Sequence, residues 1–126
     1  MSGREVVEKL IATLNAKNVA GMDEVFHEDA VMDWPQSGER IVGGDNRRAV
    51  YGAFPGLPTI TPRRIVGEGD LWVAEAMLDY GEGPPYASVF IFELRDGKIA
   101  RETAYWSEPF EAPGWRAQWV ESLTEG

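Results

Sequence analysis

Cysteine is absent from the 126 residues, which excludes disulfide frameworks, thiolate nucleophiles and cysteine-based zinc sites. Histidine occurs once, at His27, and a lone imidazole without thiols cannot build a typical transition-metal site. No acidic stretch has calcium-loop spacing, so no metal is expected. Positive charge is scarce: 12 Lys and Arg stand against 21 Asp and Glu, for a formal net charge of -9. Nucleic acid and anionic membrane are repelled by such a surface, so neither is an expected partner. No apolar run approaches a membrane span, and Met1–Glu5 lacks the apolar stretch of a secretory leader, which makes the cytoplasm the expected location. Gly67-x-Gly69 and Gly81-x-Gly83 lack a third glycine and a following helix, so they punctuate hairpins and bind no nucleotide; no cofactor is expected.

What is present suits one domain over residues 1–126. Hydrophobic residues make up 44%, and a chain of this length buries roughly two-thirds of its unfolded surface. Val6, Val7, Leu10, Ile11 and Leu14 recur at helical spacing behind a Ser2/Glu5 capping box. A short second helix is expected to carry Met22, Val25 and Phe26 on one face. Ala30–Trp34 reads as a strand ended by Pro35, with Ile41-Val42 as a short partner. Asp45 is placed to cap a third helix to about Phe54, offering Ala49, Val50, Tyr51 and Phe54 for burial. Gly43-Gly44-Asp45 with Arg47 and Arg48 reads as its solvated start.

Strands dominate the remainder: Arg63–Gly67, Leu71–Tyr80, Tyr86–Leu94 and Ile99–Trp106, the last two joined by the hairpin signal Asp96-Gly97. Helices first and a meander last predict an α+β fold. Pro113 can open a final short helix that sets Trp115 and Trp119 four residues apart. A tail this aromatic should be docked, over the pocket of its own subunit or on a partner.

Three segments carry a resemblance: Phe26-His27-Glu28-Asp29-Ala30-Val31, Phe92 to Ile99, and Ala104-Tyr105-Trp106-Ser107-Glu108. In order and spacing they resemble the nuclear transport factor 2-like superfamily, in particular its SnoaL-like polyketide cyclase and ketosteroid isomerase branches. The resemblance covers nearly the whole chain. It implies a cone-shaped curved antiparallel sheet, a cystatin-like roll, with three helices from the N-terminal half packed on its concave face. It further implies a small hydrophobic ligand and a homodimer formed through the outer sheet face. By the same analogy Trp106, Ala104 and Glu102 turn inward, and the period of two then extends the inward set to Tyr86, Ser88, Phe90, Phe92, Trp72, Ala74, Ala76, Leu78 and Tyr80.

The family's catalytic groups do not carry over. The isomerase base position falls on Trp34, its oxyanion-hole tyrosine on Leu10 and its buried aspartate on Phe90. The Arg-x-Asp pair of the limonene epoxide hydrolases falls on Ala76 and Leu78. The last-strand aspartate of those enzymes, and that of the cyclases, falls near Ala104. Glu102 is the one inward carboxylate left, a candidate general base or acid whose competing reading is a salt bridge to Arg63 or Arg64. Asp33, beside the isomerase base position, is the second catalytic candidate, and its competing reading is an exposed end of strand. Trp34, Tyr51, Phe54, Tyr86, Phe90, Trp106 and Trp115 are the candidate ligand-binding residues. The expected function is a small-molecule pocket protein of the SnoaL-like type, with a cofactor-independent cyclase, isomerase or hydratase acting on a hydrophobic carbonyl compound as its enzymatic form. The alternative is a non-catalytic binding domain for a small hydrophobic ligand, or a dimerising interaction module.

Overall fold

A computed structural model describes residues 1–123. The N-terminal helix α1 (Gly3–Asn15) starts where the capping box puts it: the Glu5 amide donates to Ser2 Oγ at 3.2 Å, and the Ser2 amide donates to Glu5 Oε1 at 2.8 Å. Val6, Val7, Leu10 and Leu14 form its buried stripe. A 3₁₀ turn, Val19–Glu24, stands in place of the expected second helix. Phe26 is not on that turn; it opens strand β1 (Phe26–Trp34), four residues ahead of the expected start, and is buried within it.

The rest of the sheet comprises β2 (Glu39–Val42), β3 (Thr59–Glu68), β4 (Leu71–Asp79), β5 (Tyr86–Arg95) and β6 (Lys98–Ser107). Helix α2 (Gly43–Ala53) lies between β2 and β3. Its N-cap is Val42, and Asp45 sits in the first turn, ion-paired to Arg48 instead of capping. Ala49 faces solvent on this helix, while Arg47 is buried. The strand order is β2-β1-β6-β5-β4-β3. Four neighbouring pairs are antiparallel, but β1 runs parallel to β6. The sheet is therefore mixed and not a pure meander. The first and last strands meet at its middle, and only a long crossover through α2 and the other strands separates them in sequence.

Strand β3 also begins earlier than its sequence suggests, at Thr59, and it carries Pro62 inside it. Two facts make that tolerable. The strand is at the edge of the sheet, where a missing amide donor costs no ladder bond, and the register shifts between Pro62 and Arg64. The free edge is partly covered by Asn15 at the end of α1. Its side-chain amide donates to the Ile60 carbonyl at 2.9 Å, and its oxygen accepts from the Ile60 amide at 2.7 Å. Arg4 Nη2 ties the other end of the helix to the Ile65 carbonyl at 2.5 Å.

Two irregularities decide which residues face inward. Between β5 and β6 the pairing runs Leu94 with Ile99, then Glu93 with Arg101, so Ala100 is an extra residue in β6. Ile99 is buried before this bulge, and Glu102 and Ala104 are buried after it. The inward set thus changes from odd to even numbers within one strand. Residues Asp96 (φ 51) and Gly97 (φ 81) both adopt left-handed backbone at the hairpin turn, as a type I′ connection requires.

Candidate functional site

Helices α1 and α2 cover the concave face of the sheet, with α1 against β3 and β4 and α2 against β1. Beyond their C-terminal ends the sheet is left uncovered, and a pocket forms there. Its cavity volume is about 60 Å³, and it opens to solvent at its mouth. Leu14 and Tyr51 with Phe54 bring the two helix ends to it, Leu57, Pro58 and Ile60 close one side, and the sheet supplies the floor. That floor is made by Trp34 of β1, Leu78 of β4, Phe90 of β5, and Glu102, Ala104 and Trp106 of β6, with Tyr80 just past β4.

Aromatic packing fixes the wall. Trp34 and Trp106 meet edge-on, with ring centroids 5.3 Å apart at 87°, and Tyr51 lies against Phe54 at 6.0 Å. Offset and edge contacts of this kind restrict the rings to defined orientations. The lining is almost wholly apolar, and into it projects one carboxyl group.

Glu102 has a residue exposure of 3%. Arg63 and Arg64 do not reach it; both pair with Glu75 on the other face of the sheet, at 3.5 and 2.8 Å. Among the described residues no side chain or backbone group hydrogen-bonds its carboxyl. Burial therefore pushes its pKa up from 4.5 to about 8, only partly opposed by the charge of Arg47. The Tyr51 hydroxyl lies close enough to be affected: desolvation and the nearby Glu102 charge both hold its pKa well above the usual tyrosine value. Tyr51 thus stays a neutral O–H donor, and it has no hydrogen-bond partner among the described residues.

The structure brings Trp34, Tyr51, Phe54, Phe90, Trp106 and Glu102 to one pocket. Three other candidates lie elsewhere. Asp33 points to the convex face, where Arg40 Nε and Arg101 Nη1 each hold it at 2.5 Å. The Arg40 hydrogen bond and the charges of both arginines keep its carboxyl below its ordinary range against the opposing effect of burial. It is a fixed anion, not a base at the pocket mouth. Tyr86, the first residue of β5, donates its hydroxyl to Glu108 Oε1 at 3.0 Å and packs at a tilt against Tyr80, with ring centroids 4.9 Å apart, so it supports the rim without lining the cavity.

Trp115 lies on the 3₁₀ turn Gly114–Trp119, which buries no residue. Its indole is 73% exposed and its ring contact is the Arg116 guanidinium at 5.5 Å. The segment between β6 and this turn has no regular structure, and among the described residues none of the tail beyond β6 lines the pocket. His27 contacts the Arg95 carbonyl at the β5–β6 hairpin, a tethering role. No group of three or more potential ligand side chains among the described residues is arranged to hold a metal. No helix among them is long and apolar enough to cross a membrane.

The sequence places Arg47 at a solvated helix start, but the structure buries it. A helical period places it with Gly44, Val50, Tyr51 and Phe54, on the inward side of α2, and that spacing was the available signal. Its exposure is 2%, with Nη2 donating to Asp23 Oδ1 at 2.6 Å.

Comparison with known proteins agrees with this architecture. Residues 7–102 match the model of the SnoaL-like domain family. A nuclear transport factor 2-like protein of unknown function from Burkholderia xenovorans is 43% identical, with 96% of this chain and 94% of that one covered and a TM-score of 0.83. A candidate ketosteroid isomerase from Kribbella flavida is 27% identical over 97% of this chain and 90% of that one, with a TM-score of 0.87. A candidate polyketide cyclase from Streptomyces antibioticus, 17% identical over 82% of this chain and 90% of that one with a TM-score of 0.67, shares the fold. No curated protein matches the chain. With its family match spanning most of the sequence and its mixed six-stranded sheet wrapped on two helices, the chain belongs to the SnoaL-like family of nuclear transport factor 2-like proteins.

Proposed function

We propose that the chain is a cofactor-independent acid–base enzyme that enolises a small hydrophobic carbonyl compound, with Glu102 as the proton-carrying group. The observation that carries this reading is a buried carboxyl with no hydrogen-bond partner among the described residues, facing an apolar pocket and titrating at about 8. With that pKa, about one Glu102 in ten is ionised at pH 7. The ionised minority is a far stronger base than a surface carboxylate and is held where a substrate would displace water. The carboxylate removes a proton from the carbon next to the carbonyl, and the C–H electron pair moves onto the carbonyl oxygen as an enolate. The Tyr51 hydroxyl is the neutral donor available to that oxygen. Glu102, now protonated, returns the proton to a different atom of the substrate, and the carboxylate is regenerated.

The aromatic wall supplies the binding. A pocket of this polarity suits a small apolar compound with its polar group at the Glu102 end. The Kribbella flavida relative, a candidate ketosteroid isomerase, is in line with carbonyl chemistry. Steroid isomerisation by that branch's own residues is not what we propose, because Trp34, Leu10 and Phe90 occupy its catalytic positions.

The test uses cyclic ketones and lactones in deuterated buffer. Binding is read from Trp34 and Trp106 fluorescence, and α-proton exchange by NMR. Wild-type protein should exchange the α-proton faster as pH rises to about 8, and Glu102→Gln should lower the exchange roughly 100-fold or more while still binding. Binding without exchange by the wild type, or equal exchange by Glu102→Gln, would sink the enzymatic reading and leave a ligand-binding domain. We also propose a homodimer through the convex face, where Val89 and Tyr105 are exposed beside Met77 in a shallow groove. Light scattering at twice the chain mass supports it, and a monomer mass overturns it.

A further inference from the structure

Two charged side chains are buried among the described residues, Arg47 and Glu102. They come from facing elements. Arg47 is one turn before Tyr51 on α2, and Tyr51 shares the pocket with Glu102. The guanidinium lies over the Phe26 ring at 4.8 Å, where β1 pairs through Phe26 with Ile99 and through Met32 with Glu102. It is only partly satisfied. Nη2 bonds Asp23, Nη1 reaches toward the His27 carbonyl at 3.5 Å, and Nε is buried with no partner. Arg47 does not line the cavity, so it does not touch a pocket ligand.

A buried arginine with an unbonded nitrogen is a poor stabilising device. The desolvation of a guanidinium is costly, and one partly exposed aspartate repays little of it. Asp23 is itself 45% exposed and shared with Arg48, at 3.0 Å. The two buried charges therefore make sense together. Resting on the reading of Glu102 as the acid–base group, we propose that Arg47 is a positioning residue. It acts as a cation behind the pocket wall whose field, moderated by Asp23, favours the ionised form of the Glu102 carboxyl against its burial.

The groups that face Glu102 bear this out by their scarcity. The inward residues of β1, β4, β5 and α1 around it carry no charge: Met32, Ala74, Phe92 and Leu10 are examples. The titratable groups on its side are Tyr51 and Arg47 of α2 and Tyr80 at the end of β4, and only Arg47 is a cation. Burial dominates the upward shift of Glu102, and Arg47 is the charge that opposes it. Asp23 sits on the far side of Arg47. Desolvation pushes its pKa up, but the hydrogen bonds and charges of Arg47 and Arg48 outweigh it, so it is an anion that offsets part of the field reaching Glu102. The arrangement is a relay in which the Asp23 anion tempers the Arg47 cation, and Arg47 in turn favours ionisation of the Glu102 carboxyl.

That relay gives a test that a merely structural arginine would fail. The Glu102 carboxyl is titrated in the free protein by its infrared C=O band, with Glu102→Gln as the blank. Arg47→Met should shift the titration to higher pH, with the acid dissociation constant falling about tenfold or more. Asp23→Asn should shift it the other way by a smaller factor, because an unopposed Arg47 favours the carboxylate. Arg47→Lys should restore most of the wild-type position. Shifts of opposite sign support the relay; an unmoved band in Arg47→Met, or equal shifts in both variants, overturns it. Should Arg47→Met fail to fold, Asp23→Asn decides alone: an acid shift supports the relay and an unchanged band ends it. No substrate enters this measurement. Loss of the enzymatic reading through the exchange assay would therefore leave its result standing, and the reverse also holds.

Discussion

Glu102 and Asp33 are two carboxylates on adjacent strands, one register step apart, since Met32 pairs with Glu102 and Asp33 with Thr103. Their environments differ in every respect. Asp33 sits on the convex face between two arginines that hold it ionised, while Glu102 sits on the concave face among aromatic rings that keep it largely protonated at neutral pH. Strand pleating alone separates them, because neighbouring positions point to opposite faces. The same residue chemistry becomes a fixed anion on one side and a buried, largely protonated acid on the other. Chain position says little about the outcome unless the face is known.

The largest expected effect comes from breaking the alternation beyond the bulge. Deleting Ala100 itself leaves Ile99 and Glu102 two positions apart, so both keep facing inward, but deleting Thr103 puts Ala104 directly after Glu102. Either Glu102 then turns outward with Arg101 inward, or Ala104 and Trp106 leave the pocket floor, and cooperative unfolding should be lost or weakened by more than about 3 kcal/mol. Denaturant titration by circular dichroism measures it, and a variant of wild-type stability would show that the alternation does not set the faces.

Next in size is the pH dependence of stability. The pKa of Glu102 is raised in the folded state, so between pH 4.5 and about 8 the native protein holds more protons than the unfolded chain, and stability falls as pH rises through that window. The penalty is roughly 3 kcal/mol at pH 7 and should be absent below pH 4.5. Glu102→Gln should lack this slope, and equal slopes in urea melts of the two proteins would contradict the burial argument. Asp33 should behave oppositely and weakly. Its lowered pKa contributes stability that is present at neutral pH and lost on acidification toward its folded value. Asp33→Asn should cost about 1 kcal/mol at pH 7 and leave ligand affinity unchanged. A weakened ligand would place Asp33 within reach of the pocket after all.

How much of this was legible in the residues follows from the same pleat. The alternation through Leu71–Asp79 and Tyr86–Arg95 is visible as a pattern, but a pattern of two has no origin. The family resemblance fixed which parity faces inward, and no local property of Ala100 announces that β6 changes its parity there. The expected strand begins at Arg63, whereas β3 begins at Thr59 and carries Pro62 at the sheet edge, a position invisible without the topology. The parallel pairing of β1 with β6 joins segments some seventy residues apart, beyond any local signal. Arg47 reads as solvated because its charge outweighs the period, although its spacing from Tyr51 matches the inward stripe. The aromatic tail was the reverse case: Trp115 and Trp119 have the composition of a buried segment, yet in the single chain they stand 73% and 71% exposed.

The clasp of Asn15 on Ile60 has a meaning for how copies of this molecule can meet. A six-stranded sheet with open margins is a template on which further strands can dock. One margin here is occupied by a side-chain amide imitating a strand and is followed by a proline, and the other is the four-residue β2. Growth by adding strands is discouraged at both ends, which suits the finite dimer proposed above through the convex surface, an arrangement that would leave the pocket mouths open.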